Sequence, residues 1–133
     1  MAKYVYPAIF TPAENNSFTV SFPDLKNCFT QGEDLADALE MAQDVLCLMI
    51  YDMEERGAEI PSASSLQNVA APDDALVSLV ACDTLEYRKK YNNVAVKKTL
   101  TIPTWLNTLA EEAGVNFSQT LQDALKEQLK IAK

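Results

Sequence analysis

Lys97, Thr99 and Thr101 alternate with Val96, Lys98, Leu100 and Ile102 in the segment VAVKKTLTIP. In an extended chain, alternate side chains share a face, so the three polar groups form one row of donors and acceptors. A lysine suits the acceptors of guanine. A threonine hydroxyl donates or accepts, and its methyl fits beside thymine. A two-stranded ribbon carrying such a row matches the major groove of B-DNA. Further along, Asn116, Phe117 and Ser118 open a helix whose free amides suit a backbone phosphate. The chemistry offered is recognition, with no bond made or broken.

Covalent catalysis has little to work with. The chain has no histidine, which removes the commonest general base and the commonest zinc ligand. Cys28, Cys47 and Cys82 are odd in number, far apart and outside any CxxC. They read as reduced, mostly buried thiols, with a disulfide between two of them as the minor alternative. Asp24, Glu33 and Asp34 read as turn and cap residues rather than metal ligands, so no catalytic residue, metal or cofactor is expected. An enzyme here would have to use carboxylates and a hard metal, as in a nuclease.

The 133 residues carry a net charge of −8, distributed unevenly. Residues 1–87 hold three basic residues against fifteen acids, and residues 88–133 hold eight against four. The halves are therefore −12 and +4. An acidic body and a basic tail suit two partners of opposite charge; the plainer alternative is an ordinary acidic protein with a solvated end. No run of about 18 apolar residues exists, so no membrane span is expected. The N-terminus does not read as a secretory signal, and a cytoplasmic location follows.

These residues need elements to hold them. Lys3–Thr11 is β-rich, with Pro7 marking an edge strand or bulge. Phe18–Phe22 alternates as a half-buried strand, AENNS supplies the turn between them, and Cys28–Gln31 reads as a third strand. Asp34 caps a helix running from Leu35 to about Arg56, ended by Gly57 with Pro61 beyond. Its apolar face is Leu35, Ala38, Leu39, Ala42, Val45, Leu46, Met49 and Met53. Met41, Met49 and Met53 are expected in the core, and the acids Asp37, Glu40, Asp44, Asp52, Glu54 and Glu55 fall largely on the other face. Residues 61–75 form a loop and Leu76–Cys82 a buried fourth strand. The order β-β-β-α-β gives an α+β body with one long helix across a sheet.

A basic linker is placed at residues 88–93, where Arg88, Lys89 and Lys90 suit DNA phosphates or a plain spacer equally. After it come a strand (Val94–Ile102), Pro103, a helix (Thr104–Ala113), Gly114 and a second helix (Asn116 to about Ile131). Trp105 reads as a packing or phosphate-flanking residue. About forty residues in one strand and two helices cannot bury enough surface alone, and a lone strand leaves its edges unpaired. Two chains that pair strands and interleave helices solve both problems. Leu100, Ile102, Leu106, Leu109, Leu121 and Leu125 are then the shared core of an obligate dimer. The alternative is a tail that docks on its own body.

KKTLTIPTWLNTLAEEAGVNFSQTLQDALKEQL resembles a ribbon-helix-helix repressor domain, with Lys98 standing where an inward apolar residue is usual. The body, from YPAIFTP through SFTVSFPDLKNCFTQGEDLADALEMAQDVLCLMIYDMEERGAEIPSAS, resembles the HicB antitoxins. Thr30, Gly32, Ala38, Gly57, Ile60 and Pro61 occupy the matching positions. The resemblance implies a partial ribonuclease H-like body (1–87) and a ribbon-helix-helix arm (94–133) for dimerisation and DNA binding. It also implies an RNA-cleaving partner of the HicA type, blocked by occupation, and operator double-stranded DNA as the second partner. The expected assembly is a homodimer through the arm, with a tetramer also open. The runner-up reading is a ligand-sensing repressor without a toxin.

Overall fold

Three hairpin-linked strands and a fourth that returns after a long helix make one antiparallel sheet, ordered β3-β2-β1-β4. They are β1 (Lys3–Pro12), β2 (Phe18–Ser21), β3 (Phe29–Gly32) and β4 (Leu76–Asp83). These positions come from a computed structural model that describes residues 3–131. The β1–β2 turn uses Asn15 and Asn16 at φ 58° and 62°, the left-handed region that asparagine tolerates. Ala13 N–H closes it on Ser17 O at 2.8 Å. β1 is an interior strand, which overturns the edge position, one of the two readings of Pro7. The proline is accommodated because β2 reaches only to the Ile9–Ser21 pair, leaving β4 alone beside Pro7, opposite Leu79.

Alternation along β1 turns Tyr6, Ala8 and Phe10 inward, across from Val80 on β4 and Val20 on β2. The helix α1 (Leu35–Arg56) covers that face. Its buried row is Ala38, Ala42, Leu46 and Ile50, with Cys47 beside it. Each of Leu46 and Ile50 contributes about 1.5–3 kcal/mol by leaving water. The row is narrower than the apolar spacing implied. Val45, Met49 and Met53 flank it, whereas Leu35, Leu39 and Met41 lie at its margin and stay exposed.

Both ends of α1 are chemically determined. The Asp34 carboxylate accepts from Asp37 N–H at 2.8 Å, capping a free first-turn amide, and Asp37 in return accepts from Glu33 N–H, just before the cap, at 2.9 Å. Gly57, at φ 65°, lets Ala58 N–H reach back to Met53 O at 2.9 Å. Gly32 is required for a different reason: a Cβ there would lie 2.3 Å from the backbone nitrogen of Ala38. The first turn of α1 therefore rests directly on the backbone of β3.

A helix absent from the sequence reading follows β4 without a break. α2 (Thr84–Tyr91) is capped by Asp83, which accepts from Leu85 N–H at 3.0 Å and Glu86 N–H at 3.3 Å. Arg88, Lys89 and Lys90 are thus helical, where a basic linker was expected. The chain divides into two compact units after Val94. In the second unit α3 (Thr104–Glu112) and α4 (Phe117–Gln128) follow the expected helices, separated by Gly114 at φ 69°. Residues 92–103 carry no regular secondary structure. The strand expected at Val94–Ile102 is not formed within one chain, because a strand needs a bonded neighbour and the chain supplies none here. Among the described residues, no helix is long and apolar enough to cross a membrane.

Candidate functional site

Lys97, Thr99 and Thr101 are all exposed on the extended segment that leads into α3. Pro103 marks its end, where its fixed φ suits a helix entrance and its missing N–H costs nothing. Asn116 caps α4, accepting from Gln119 N–H at 3.0 Å. Asn116, Phe117 and Ser118 lie together at the exposed start of this helix, and the Ser118 hydroxyl accepts from Gln122 at 3.2 Å. The structure therefore presents two polar groupings in the second unit, one on the extended segment and one at a helix start.

The six apolar residues expected in a shared core are not brought into one by a single chain. Leu100 is 65% exposed and Leu109 56%; Ile102, Leu106 and Leu125 are also exposed and Leu121 is half-buried. Among the described residues, the second unit buries none at all. α3 and α4 are nonetheless amphipathic, with Leu106, Leu109 and Ala110 on one and Phe117, Leu121 and Leu125 on the other. Both apolar faces are left bare on a small unit.

In the first unit, the feature that sequence reasoning missed is a polar knot beneath α2. Glu54, grouped with the solvent-facing acids, has a side chain only 8% exposed. It accepts from Arg88 at 3.1 Å, Tyr4 OH at 2.9 Å and Thr84 Oγ1 at 3.1 Å. Arg88 also pairs with Glu55 and stacks over the Tyr51 ring at 4.6 Å. Burial works against the Glu54 charge, but the hydrogen bonds it accepts, those from Arg88, Tyr4 and Thr84 among them, outweigh burial and hold the carboxyl at about 2. The same pairing, with Glu55 foremost, raises the Arg88 guanidinium against its own burial. Arg88 is thus occupied inside the protein and is no longer a candidate for a DNA phosphate. The signal for α2 was present in Asp-Thr-Leu-Glu at 83–86, a capping pattern.

The outer face of α1 keeps Glu40, Asp44, Asp52 and Glu55 exposed, with Asp52 bound to Arg56 at 2.8 Å. Among the described residues, no three Cys, Asp or Glu side chains gather as a metal site would require.

A profile described as HicB_like antitoxin of bacterial toxin-antitoxin system matches residues 6–125. The antitoxin HicB of Escherichia coli (strain K12) is 38% identical over 63 residues, covering 47% of this chain and 46% of that protein. The match spans about half the length of that relative. An uncharacterised 14.9 kDa protein of Haemophilus phage HP1 is 30% identical over 95 residues, 69% of this chain and 68% of its own. Among solved structures, a chain of a toxin-antitoxin complex from Streptococcus pneumoniae superposes with a TM-score of 0.61 at 32% identity, covering 95% of this chain and 99% of that one. With the profile covering nearly the whole sequence and the strand order and helices in place, this chain belongs to the HicB-like family of antitoxins of bacterial toxin-antitoxin systems.

Proposed function

We propose that this chain masks an RNA-cleaving toxin of the HicA type with its acidic body and represses its own operon with its arm. The observation that carries the second half is that none of the arm's described residues is buried. Leu100, Ile102, Leu106, Leu109, Leu121 and Leu125 become a core when two chains pair their 94–102 segments as antiparallel strands. Lys97, Thr99 and Thr101 then line the outer face of the ribbon, and Asn116, Phe117 and Ser118 hold operator phosphates. In this reading the units are a body (1–87), a joining segment (88–93) and a ribbon-helix-helix arm (94–133). The homodimer forms through the arm, and tetramers form if bodies also associate. The finer assignment of the body as partial ribonuclease H-like rests on the family resemblance.

The first half is supported by the family and by charge. A body at −12 steers towards a basic partner and away from nucleic acid, and the solved relative from Streptococcus pneumoniae belongs to a toxin-antitoxin complex. Masking works by occupying the toxin's cleft in the cytoplasm, with no enzymatic step and no cofactor. The test is coexpression with the adjacent reading frame, followed by size measurement and by titration of promoter DNA. A small basic protein that copurifies and loses ribonuclease activity on binding supports the reading. No copurifying partner, together with release from promoter DNA by a small ligand, supports a ligand-sensing repressor instead.

A further inference from the structure

Building on the masking function above, we propose that the partner enters along the open rim of β4, where a groove beside α1 takes one extended strand of a basic protein. β4 ends the sheet order and is bonded to β1 on one side only. The flank of α1 overhangs its free side. Between Ala36, Leu39, Glu40 and Gln43 of the helix and Leu79 and Ala81 of the strand lies a groove of about 330 Å³. Leu39, Leu76 and Leu79 stand exposed along it. Residues 76–82 contain no charge and no proline, the usual guards of a bare edge.

The backbone of this rim is ready to pair. In an antiparallel strand the N–H and C=O of one residue point to one side and those of the next to the other. Gln43 reaches the Ala81 carbonyl from the open side at 3.1 Å, so Val77 and Leu79 turn the same way. Pro7 agrees with that parity, since it has no N–H to give and faces Leu79 across the β1–β4 pair. Val77 and Leu79 therefore offer donors and acceptors to an incoming strand, while Gln43 holds the acceptor of Ala81. The strand pairs with residues 76–79 and meets the groove at Leu79, where Gln43 ends it. Main-chain bonds to such an edge supply affinity, and pockets for alternate side chains supply selectivity. Here Ala36 and Leu39 receive apolar side chains on the helix side.

Charge chooses the occupant. Residues 27–87 contain one basic residue, Arg56, and it is bound to Asp52. Glu40 lies in the groove wall, Asp73 and Asp74 immediately precede β4, and all three are exposed. Lysines or arginines on the incoming strand meet these acids. A second copy of this chain is disfavoured by the same groups. Antiparallel self-pairing with Val77 opposite Leu79 brings Asp73 of each chain towards Asp83 of the other, and like charges placed opposite one another destabilise a strand pair.

The test follows amide hydrogen exchange in the full-length protein, alone and with the small basic protein of the adjacent reading frame. Alone, Val77 and Leu79 should exchange faster than Ser78 and Val80; in the complex they should slow by about tenfold or more. Leu79→Arg, at an exposed position, should weaken the complex by about tenfold with its thermal midpoint kept. Leu48→Arg, exposed on α1 outside the groove, should leave the complex unchanged. If the basic protein binds while Val77 and Leu79 exchange as before, or if Leu48→Arg weakens the complex and Leu79→Arg does not, the groove is overturned and the masking function stands. Protection of the same amides in the protein alone that grows with concentration assigns the rim to a second copy and also overturns it. If no basic protein binds, the masking function falls, and a synthetic eight-residue peptide alternating lysine and valine decides the groove. That peptide protects Val77 and Leu79 in the wild type and not in Leu79→Arg, or the groove falls as well.

Discussion

Arg88 on α2 reaches back to Glu54 near the end of α1 at 3.1 Å, with the two side chains 16% and 8% exposed. The pair ties the last helix of the first unit to the body, and it is shielded enough to matter. Removing one partner of a shielded pair strands the other. Glu54→Gln keeps the shape and loses the charge, and it is expected to cost roughly 2–3 kcal/mol. The check is the midpoint of urea unfolding; an unmoved midpoint contradicts the role given to this knot.

Acid weakens the same knot in a defined direction. The folded carboxyl sits at about 2 and an unfolded glutamate near roughly 4.3. The unfolded chain therefore takes up the proton first as pH falls. The contribution of Glu54 is complete above the unfolded value and fades as pH drops towards the folded one. Thermal unfolding of wild type and Glu54→Gln should differ most near neutrality and converge towards pH 3. A gap that widens on acidification refutes the assignment.

Gly32→Ala places a methyl 2.3 Å from the Ala38 nitrogen. Backbone cannot step aside as a flexible side chain can, so strand β3 and helix α1 must separate. The expected loss is about 1–3 kcal/mol, as for other overpacked sites. Gly57→Ala meets open space and suffers only from its positive φ, with an expected loss of about 1 kcal/mol. Chemical denaturation of the two variants should rank them in that order.

Leu109→Asp puts a charge on the bare apolar face of α3. Light scattering coupled to size exclusion should show the wild type as two or more chains and the variant shifted to one. The wild type's thermal midpoint should rise with protein concentration, as expected when folding and association are linked. A wild-type chain that is monomeric at every concentration removes the basis for the shared ribbon.

Lys97→Ala and Thr99→Ala should each weaken promoter binding by about 1–3 kcal/mol, and chiefly for the specific sequence. Asn116→Ala should weaken specific and non-specific DNA alike, because phosphates carry no sequence. Fluorescence anisotropy at fixed salt separates the two patterns. Equal losses on both DNAs for Lys97→Ala would count against base reading.

Most elements were legible because their signals are local. Asp34, Gly57 and the 38–42–46 row predict α1 to its observed ends, and Thr104 and Asn116 mark the starts of the arm helices, the second of which ends at Gln128 rather than about Ile131. What could not be read was tertiary. Glu54 lies on a helix face that is outward only until α2 covers it, and α2 itself is eight residues of mostly polar character. Pro7 reads as an edge residue because the early end of β2 is invisible in a single strand's sequence. The candidate readers Lys97, Thr99 and Thr101 follow from alternation alone, while the single chain pairs no strand with their segment.

β4 forms one rim of the sheet, with Leu76 and Leu79 exposed along it. The amide of Gln43 fills the Ala81 carbonyl at that rim, acting as a stopper where a foreign strand would otherwise dock. One side chain reaching down from the helix thus occupies a backbone acceptor on the open rim, the group that an added strand would need.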